Sequence, residues 1–435
     1  MEKKNNLGYK SATLLVLIML LMVPTVFIDM LVMERENRQT EAVQEVSAKW
    51  GREQTISGPM ITIPYYDQNS SITSGTTKQK SYLHLLPEHL KINGKLFPEK
   101  RYRSIYEIVV YNSKVNFTGK FSTRETNLRS IPKENLLVNE AFISVGISDL
   151  RGINEEIPVT WEQKEFMFNS GVETNGVFET GIHARVPFEV ADTTTNTYSF
   201  SFDISLKGSQ YLYFTPAGKV TEVNVSSGWE NPSFNGAFLP DSRAINGKGF
   251  SAYWKILQLN RDYPQSWNNN EFNFGKSSFG VDLLLPVDNY QKITRSIKYA
   301  VLFVVLTFLI FFFLELRNNK MIHPFQYLLV GFGLVIFYTL LLSISEHVNY
   351  NLAYLISMVM TIGLISIYSK SVLNDSKLAV LIGGTLSILY GFIFTIIQLQ
   401  DYALLMGSLG LFMILALTMY FSRKINWYGI GKSQV

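Results

Sequence analysis

The chain has 435 residues, of which 47% are hydrophobic and only 17% charged, well below the roughly 25% of an average soluble domain, so part of it avoids water. A net charge of +4 over this length makes no field for a polyanion, which excludes a nucleic-acid partner unless the charge is concentrated somewhere. With no cysteine, disulfide frameworks, thiol catalysis and cysteine-ligated zinc or iron–sulfur sites are excluded as well.

The first apolar stretch, residues 11–33, follows Lys3, Lys4 and Lys10 and is long enough to span a bilayer. Bulky residues from Val26 to Glu34 stand where a small-x-small cleavage site would be, so the stretch reads as an uncleaved anchor. Helical character should continue outward to Gly51, with Glu34/Arg38 and Glu45/Lys49 spaced i,i+4.

After Gly58-Pro59 the pattern changes to period two, in segments such as Met60–Pro64, Ile105–Tyr111, Val115–Gly119, Ala141–Val145, Tyr198–Ile204, Val220–Val225 and Val281–Leu285. Short strands separated by Gly, Pro, Asn and Ser predict antiparallel β structure, an all-β, sandwich-like extracytoplasmic domain over residues 34–296. Its 28 basic and 29 acidic residues leave a net of −1, which does not read as an anion collector.

Five further spans are predicted, at 297–316, 324–345, 348–369, 378–400 and 402–422, the last four without a charged residue. The expected fold class is therefore six transmembrane α-helices, one N-terminal and five C-terminal, carrying a large β domain. Placing residues 1–10 and the tail 423–435 in the cytoplasm puts ten Lys and Arg residues on that side and none in the short outer loops, the positive-inside pattern.

Catalytic signatures are sparse: there is no Gly-x4-Gly-Lys-Ser/Thr, no His-Glu-x-x-His and no Gly-x-Ser-x-Gly. His84 and His89 could share a metal only with a third ligand from elsewhere, and a solvated pair is the plainer reading, so neither metal nor cofactor is expected. An aromatic-rich segment holds Trp229, Phe234, Phe238 and Trp254; such rings usually supply buried area, and a glycan-stacking row is the alternative.

At the outer rim of the bundle, Glu346 and His347 join two spans while Gln398, Asp401 and Tyr402 join two others. Carboxylates, an imidazole and a phenol there could form a proton relay or hydrolytic site; the plainer reading is helix ends at headgroup depth, where charge is cheap. Gly383, Ser387, Gly391 and Thr395 repeat at intervals of four, a stripe that predicts close helix packing, a substrate groove being the weaker alternative. Glu315 should pair with Arg317 or Lys320 at the inner interface.

Met321-Ile-His-Pro-Phe-Gln-Tyr-Leu-Leu-Val-Gly331, Phe337-Tyr-Thr-Leu-Leu-Leu-Ser-Ile-Ser-Glu-His347 and Asp401-Tyr-Ala-Leu-Leu-Met-Gly-Ser-Leu-Gly-Leu-Phe412 resemble the CreD family of inner-membrane proteins. In the outer domain Ile147–Ile153, Gly181–Ala184, Trp229–Gly236 and Gly249–Trp254 resemble the same family, so the likeness covers nearly the whole chain. The family pattern has a Glu before Asp-Tyr-Ala-Leu-Leu where this chain has Gln400, which removes one carboxylate from the rim cluster. The resemblance implies an inner-membrane protein with a periplasmic domain, tied to cell-envelope integrity, with no established reaction and no catalytic residues to carry over. Expected partners are the lipid bilayer and an envelope component, either peptidoglycan, lipid or an envelope protein; a lipid or ion transporter or membrane hydrolase working at Glu346, His347 and Asp401 is the alternative.

Overall fold

A computed structural model describes residues 6–67, 80–124, 131–174, 176–189, 196–272, 274–285, 289–318, 321–399 and 402–423. The chain divides into two compact units, Met1–Thr40 with Val287–Val435, and Glu41–Pro286.

The first unit is helical. It takes most of α1 (Asn6–Trp50), then α2 (Asn289–Lys298), α3 (Ala300–Asn318), α4 (Pro324–Ser345), α5 (Tyr350–Leu373), α6 (Ser376–Gln398) and α7 (Ala403–Ser422). α1, α3, α4, α5 and α6 are each long and apolar enough to cross a membrane. α7, apolar over Leu404–Tyr420, completes the six spans. At ~1.5 Å per residue the 45 residues of α1 outrun the ~30 Å hydrocarbon core more than twofold. Polar caps set the inner helix boundaries. The N–H of Phe325 donates to His323 Nδ1 at 3.2 Å and His323 N–H to Gln326 Oε1 at 3.0 Å, with Pro324 opening α4 where a missing donor costs nothing. Asn349 and Asp375 cap α5 and α6 in the same way.

The span expected at 297–316 begins at Ala300 instead: residues 289–298 form a separate amphipathic helix, α2, which buries Tyr290, Ile293, Ser296 and Ile297 on one stripe and is divided from α3 at Tyr299.

The second unit is a two-sheet β structure around one core. One sheet runs Pro232–Gly236, Phe279–Leu283, Tyr211–Thr215, Gln54–Tyr66, Phe142–Ile147, Gly181–Arg185 and Asn169–Ser170, with Lys80–Leu85 added on Gln54–Tyr66 and Ser266–Asn268 added on Lys80–Leu85. The other runs Ser242–Asn246, Gly249–Leu257, Val220–Ser227, His89–Arg103, Tyr106–Ser122, Thr197–Ser209, Pro158–Trp161 and Lys164–Met167. Two pairings depart from the antiparallel expectation: Gln54–Ser57 lies parallel to Leu212–Thr215, and Val220–Ser227 parallel to His89–Leu96. Parallel neighbours need long crossovers, so the pairing leaves no hairpin signature in the local sequence.

Inward positions of both sheets, among them Ile92, Phe117, Ile143, Trp254 and Trp267, are all but inaccessible and form the shared core. The end of α1 packs Ala42, Val43, Val46 and Trp50 on Tyr106, Ile108 and Val110. The Trp50 ring lies under the Arg101 guanidinium at 3.9 Å and the Lys207 ammonium at 4.7 Å.

Several segments of the family resemblance are joints of this unit. Asp149 accepts two bonds of 2.9 Å from the Arg151 guanidinium and one of 3.0 Å from the Arg52 N–H, while Arg151 reaches the Ala48 carbonyl at 2.9 Å. Burial alone would raise the Asp149 carboxyl, but the bonds from Arg151 and Arg52 hold it below the usual carboxylate range. Gly152 is required there: a Cβ would sit 2.3 Å from the Lys207 carbonyl oxygen.

Candidate functional site

The rim residues at the ends of α4 and α6 do not converge on one another. Glu346, at the C-terminal end of α4, turns to α1, where Arg35 Nε lies 3.6 Å from its Oε1. Gln398, at the end of α6, accepts from Lys292 Nζ of α2 at 3.3 Å and donates to Asn351 Oδ1 of α5. His347 and Tyr402 are exposed, and Asp401, with Gln400, lies outside the described residues. Among the described residues the rim forms two separate side-chain groups, which tie α1 to α4 and α2 to α5 and α6.

α2 supplies what sequence reasoning missed at this end. Its Asn289 Nδ2 donates to the Ser345 carbonyl at 3.3 Å, Ser296 Oγ meets the Tyr350 hydroxyl at 2.9 Å, and Lys292 stands 5.3 Å over the Tyr350 ring. Burial pushes the Lys292 ammonium below its ordinary value, and neighbouring Arg295 pushes it the same way. The signal for α2 was its amphipathic spacing next to three basic residues, Lys292, Arg295 and Lys298.

At the other end of the bundle, Glu315 is buried and, among the described residues, its partners are Lys10 and Tyr327 and not Arg317. It bonds Lys10 of α1 and accepts from the Tyr327 hydroxyl at 2.9 Å, while Lys10 Nζ also donates to the Ile322 carbonyl at 3.0 Å. Lys10 wins because a buried carboxylate needs a desolvated partner, and Arg317 is exposed; Lys320 lies outside the described residues. Between the two ends, Phe303, Phe337, Tyr338, Tyr354 and Tyr390 pack ring on ring, and the Tyr354 hydroxyl donates to the Tyr390 carbonyl at 2.8 Å.

The small-residue stripe is a packing surface at one position only. A Cβ on Gly383 would lie 2.6 Å from Ser366 Oγ of α5, so the helices touch there. Ser387, Gly391 and Thr395 face outward, and Gly391 has open space around it. The reason is rotation: α6 buries Ile382, Leu386, Leu389, Tyr390, Ile393, Ile396 and Ile397, a stripe about one residue, or ~100°, round the helix from the small residues. α7 instead meets α6 through Gly410, whose Cβ position is filled by the Phe392 ring.

The aromatic row belongs to the β core and not to an open groove. Trp254 is fully buried, its indole N–H donates to the Phe238 carbonyl at 3.2 Å, and Phe234 meets it edge-on at 5.8 Å. Trp229 is 9% exposed and donates to the Leu284 carbonyl at 3.0 Å; Phe238 packs on Phe279. Phe234 and Trp254 point inward from strands while Trp229 and Phe238 pack on the core from adjoining loops, so the four rings carry buried area and form no open row for a sugar. His84 is buried against Trp267 with Nδ1 3.0 Å from Thr62 Oγ1, whereas His89 is exposed on the other sheet. Among the described residues no three His, Cys, Asp or Glu side chains are grouped to hold a metal.

Known proteins agree with this architecture. The sequence pattern of the CreD family, described as "Inner membrane protein CreD", matches residues 6–428. The inner membrane protein CreD of Escherichia coli (strain K12) is 30% identical over 437 residues, covering 98% of this chain and 95% of that protein. Among solved structures, an M1 zinc metallopeptidase variant from Deinococcus radiodurans has a TM-score of 0.21 at 9% identity, over 39% of this chain and 38% of its own. A two-domain M1 zinc metallopeptidase variant bound to L-arginine gives 0.20 at 9% identity, over 39% of each chain. Likeness at that level carries no argument about fold or activity. Six apolar helices, a large β unit and a pattern matched almost end to end place the chain in the CreD family of inner membrane proteins.

Proposed function

We propose that the chain supports cell-envelope integrity from the inner membrane, with both termini in the cytoplasm and the β unit outside it, touching an envelope component. The orientation rests on the ten Lys and Arg residues that fall on one side of the spans. The observation that carries the role is the closed core of the β unit: Trp161, Trp229, Trp254, Trp267 and most of its phenylalanines are used up inside, so what it offers a partner is the largely polar outer surface of its sheets. The rim groups of the bundle, by contrast, hold helices together through Arg35–Glu346 and Lys292–Gln398–Asn351.

Survival of detergent and cell-wall stress by a strain lacking the chain, with and without the full chain restored at equal protein level, tests the role. Loss without the chain and recovery with it is the expected result; indifference to the chain refutes it. A transporter or hydrolase working at Glu346, His347 and Asp401 predicts that Glu346→Gln and Asp401→Asn each abolish survival, whereas the present reading has both variants survive. A reporter active only outside the cytoplasm should work when fused after Lys120 and fail when fused after Val435.

A further inference from the structure

The outward face of the eight-stranded sheet is unlike the rest of the β unit. Along His89–Arg103 the inward residues Leu90, Ile92, Gly94 and Leu96 alternate with outward Lys91, Asn93, Lys95 and Phe97. Neighbouring strands continue the pattern, and the register sets these residues in rows across the sheet. One row reads Ser242, Tyr253, Asn224, Asn93, Asn116 and Asp203; the next reads Ala244, Ser251, Ser226, Lys95, Lys114 and Ser205. Over the first four strands of these rows lies a shallow groove of about 600 Å³, within the size range of small-ligand sites.

Three features of the groove point to one class of ligand. First, the rows present amides and hydroxyls at the ~4.8 Å spacing of adjacent strands, a flat array of mixed donors and acceptors matched to a polyhydroxylated chain. Asn224 Nδ2 donates to Asn93 Oδ1 at 3.3 Å, which leaves the Asn224 carbonyl and the Asn93 amide hydrogens for a ligand. Second, Lys95 and Lys114 are directly opposite each other, an arrangement that costs stability without an anion between them. Neither makes an ion pair among the described residues, whereas two rows away Glu222 stands between Lys91 and Lys255. Third, Phe97 is 44% exposed beside Lys95 and offers a ring face at the edge of the groove. Over the whole face six lysines, at 91, 95, 114, 120, 207 and 255, meet four carboxylates, Glu99, Glu165, Asp203 and Glu222, none of them in the row of Lys95 and Lys114.

We propose that this groove binds an anionic glycan, a saccharide chain carrying carboxylates, laid across the strands with a carboxylate between Lys95 and Lys114 and its hydroxyls on Asn93, Asn224 and Ser226. The assignment deepens the envelope reading above and rests on its placing the β unit outside the cytoplasm.

The test uses the full chain in nanodiscs of zwitterionic lipid, titrated with oligogalacturonate as the carboxylated glycan and chitohexaose as the neutral one. Oligogalacturonate should bind, more tightly than chitohexaose and less tightly as salt rises. The double variant Lys95→Gln/Lys114→Gln should weaken it by about tenfold or more, while Lys91→Gln, two rows away, should leave it within about twofold. Both changes lie at exposed positions, and unchanged near-ultraviolet circular dichroism would establish that the fold is intact. No binding of oligogalacturonate, or equal binding by the double variant, overturns the proposal. So does capture of the chain by phosphatidylglycerol vesicles that depends on Lys95 and Lys114 while oligogalacturonate fails to bind, since the face would then serve an anionic lipid surface. A strain lacking the chain that withstands envelope stress like its parent refutes the role without touching this binding result, and absence of binding refutes the groove and leaves the role standing.

Discussion

Trp254→Ala tests whether the aromatic row is core. Trp254 is inaccessible, with Phe234 edge-on and Phe279 tilted against its ring and its indole N–H held by the Phe238 carbonyl. Truncation to Ala removes an indole from a packed site, which costs roughly 3–5 kcal/mol, and leaves the carbonyl without its donor. For a unit of this size each kcal/mol moves the midpoint by about 2–4 °C, so a loss of ~4 kcal/mol lowers the melting temperature by roughly 8–16 °C. Trp254→Phe keeps a ring and withdraws the donor, and should cost only ~1–2 kcal/mol. Thermal unfolding of the full chain in detergent, followed by near-ultraviolet circular dichroism, reads both variants. A shift below about 2 °C for Trp254→Ala, together with lost saccharide binding, would show that the ring faces a ligand and would refute the reasoning.

Other variants separate neighbouring claims. Gly383→Leu should force α5 and α6 apart at Ser366 and destabilise the bundle by ~1–3 kcal/mol, while Gly391→Leu, in open space, should stay within ~0.5 kcal/mol; detergent unfolding curves compare them. Glu315→Gln strands the Lys10 charge in a buried setting and should cost ~3–5 kcal/mol, whereas Lys10→Met/Glu315→Met should be near neutral, giving a large coupling energy in a double-mutant cycle. Burial pushes the His84 imidazole from 6.5 down to about 4, so the folded state refuses a proton that the unfolded chain takes up. His84 therefore contributes stability above pH 6.5 that is lost as the pH falls toward 4, up to ~3 kcal/mol; urea midpoints should drop over that window and flatten in His84→Gln.

Hydrophobic length and period made the architecture legible, because a span needs about 20 apolar residues and an exposed strand alternates. Contacts between distant segments did not show. Glu315 takes Lys10 across 305 positions and not Arg317 two residues on, since burial selects the partner and proximity in sequence does not. Glu346 and Gln398 likewise find Arg35 and Lys292, on helices no local pattern links to them. The parallel strand pairs were hidden for the same reason. The −1 of the outer domain concealed the lysines of one sheet face, although Lys91, Asn93 and Lys95 alternating with Leu90, Ile92 and Gly94 carried that signal in the sequence. The small-residue stripe shows the limit of spacing rules: a four-residue interval fixes a face of α6 but not which face is buried.

The most direct measurement of the envelope role places a photo-crosslinking amino acid at Asn224, on the outward sheet face, and at Ser170, an exposed position on an edge strand of the other sheet, in the full chain in living cells. Irradiation should join the Asn224 chain, and not the Ser170 chain, to envelope material. Equal yields at the two positions, or none at Asn224, would contradict the account.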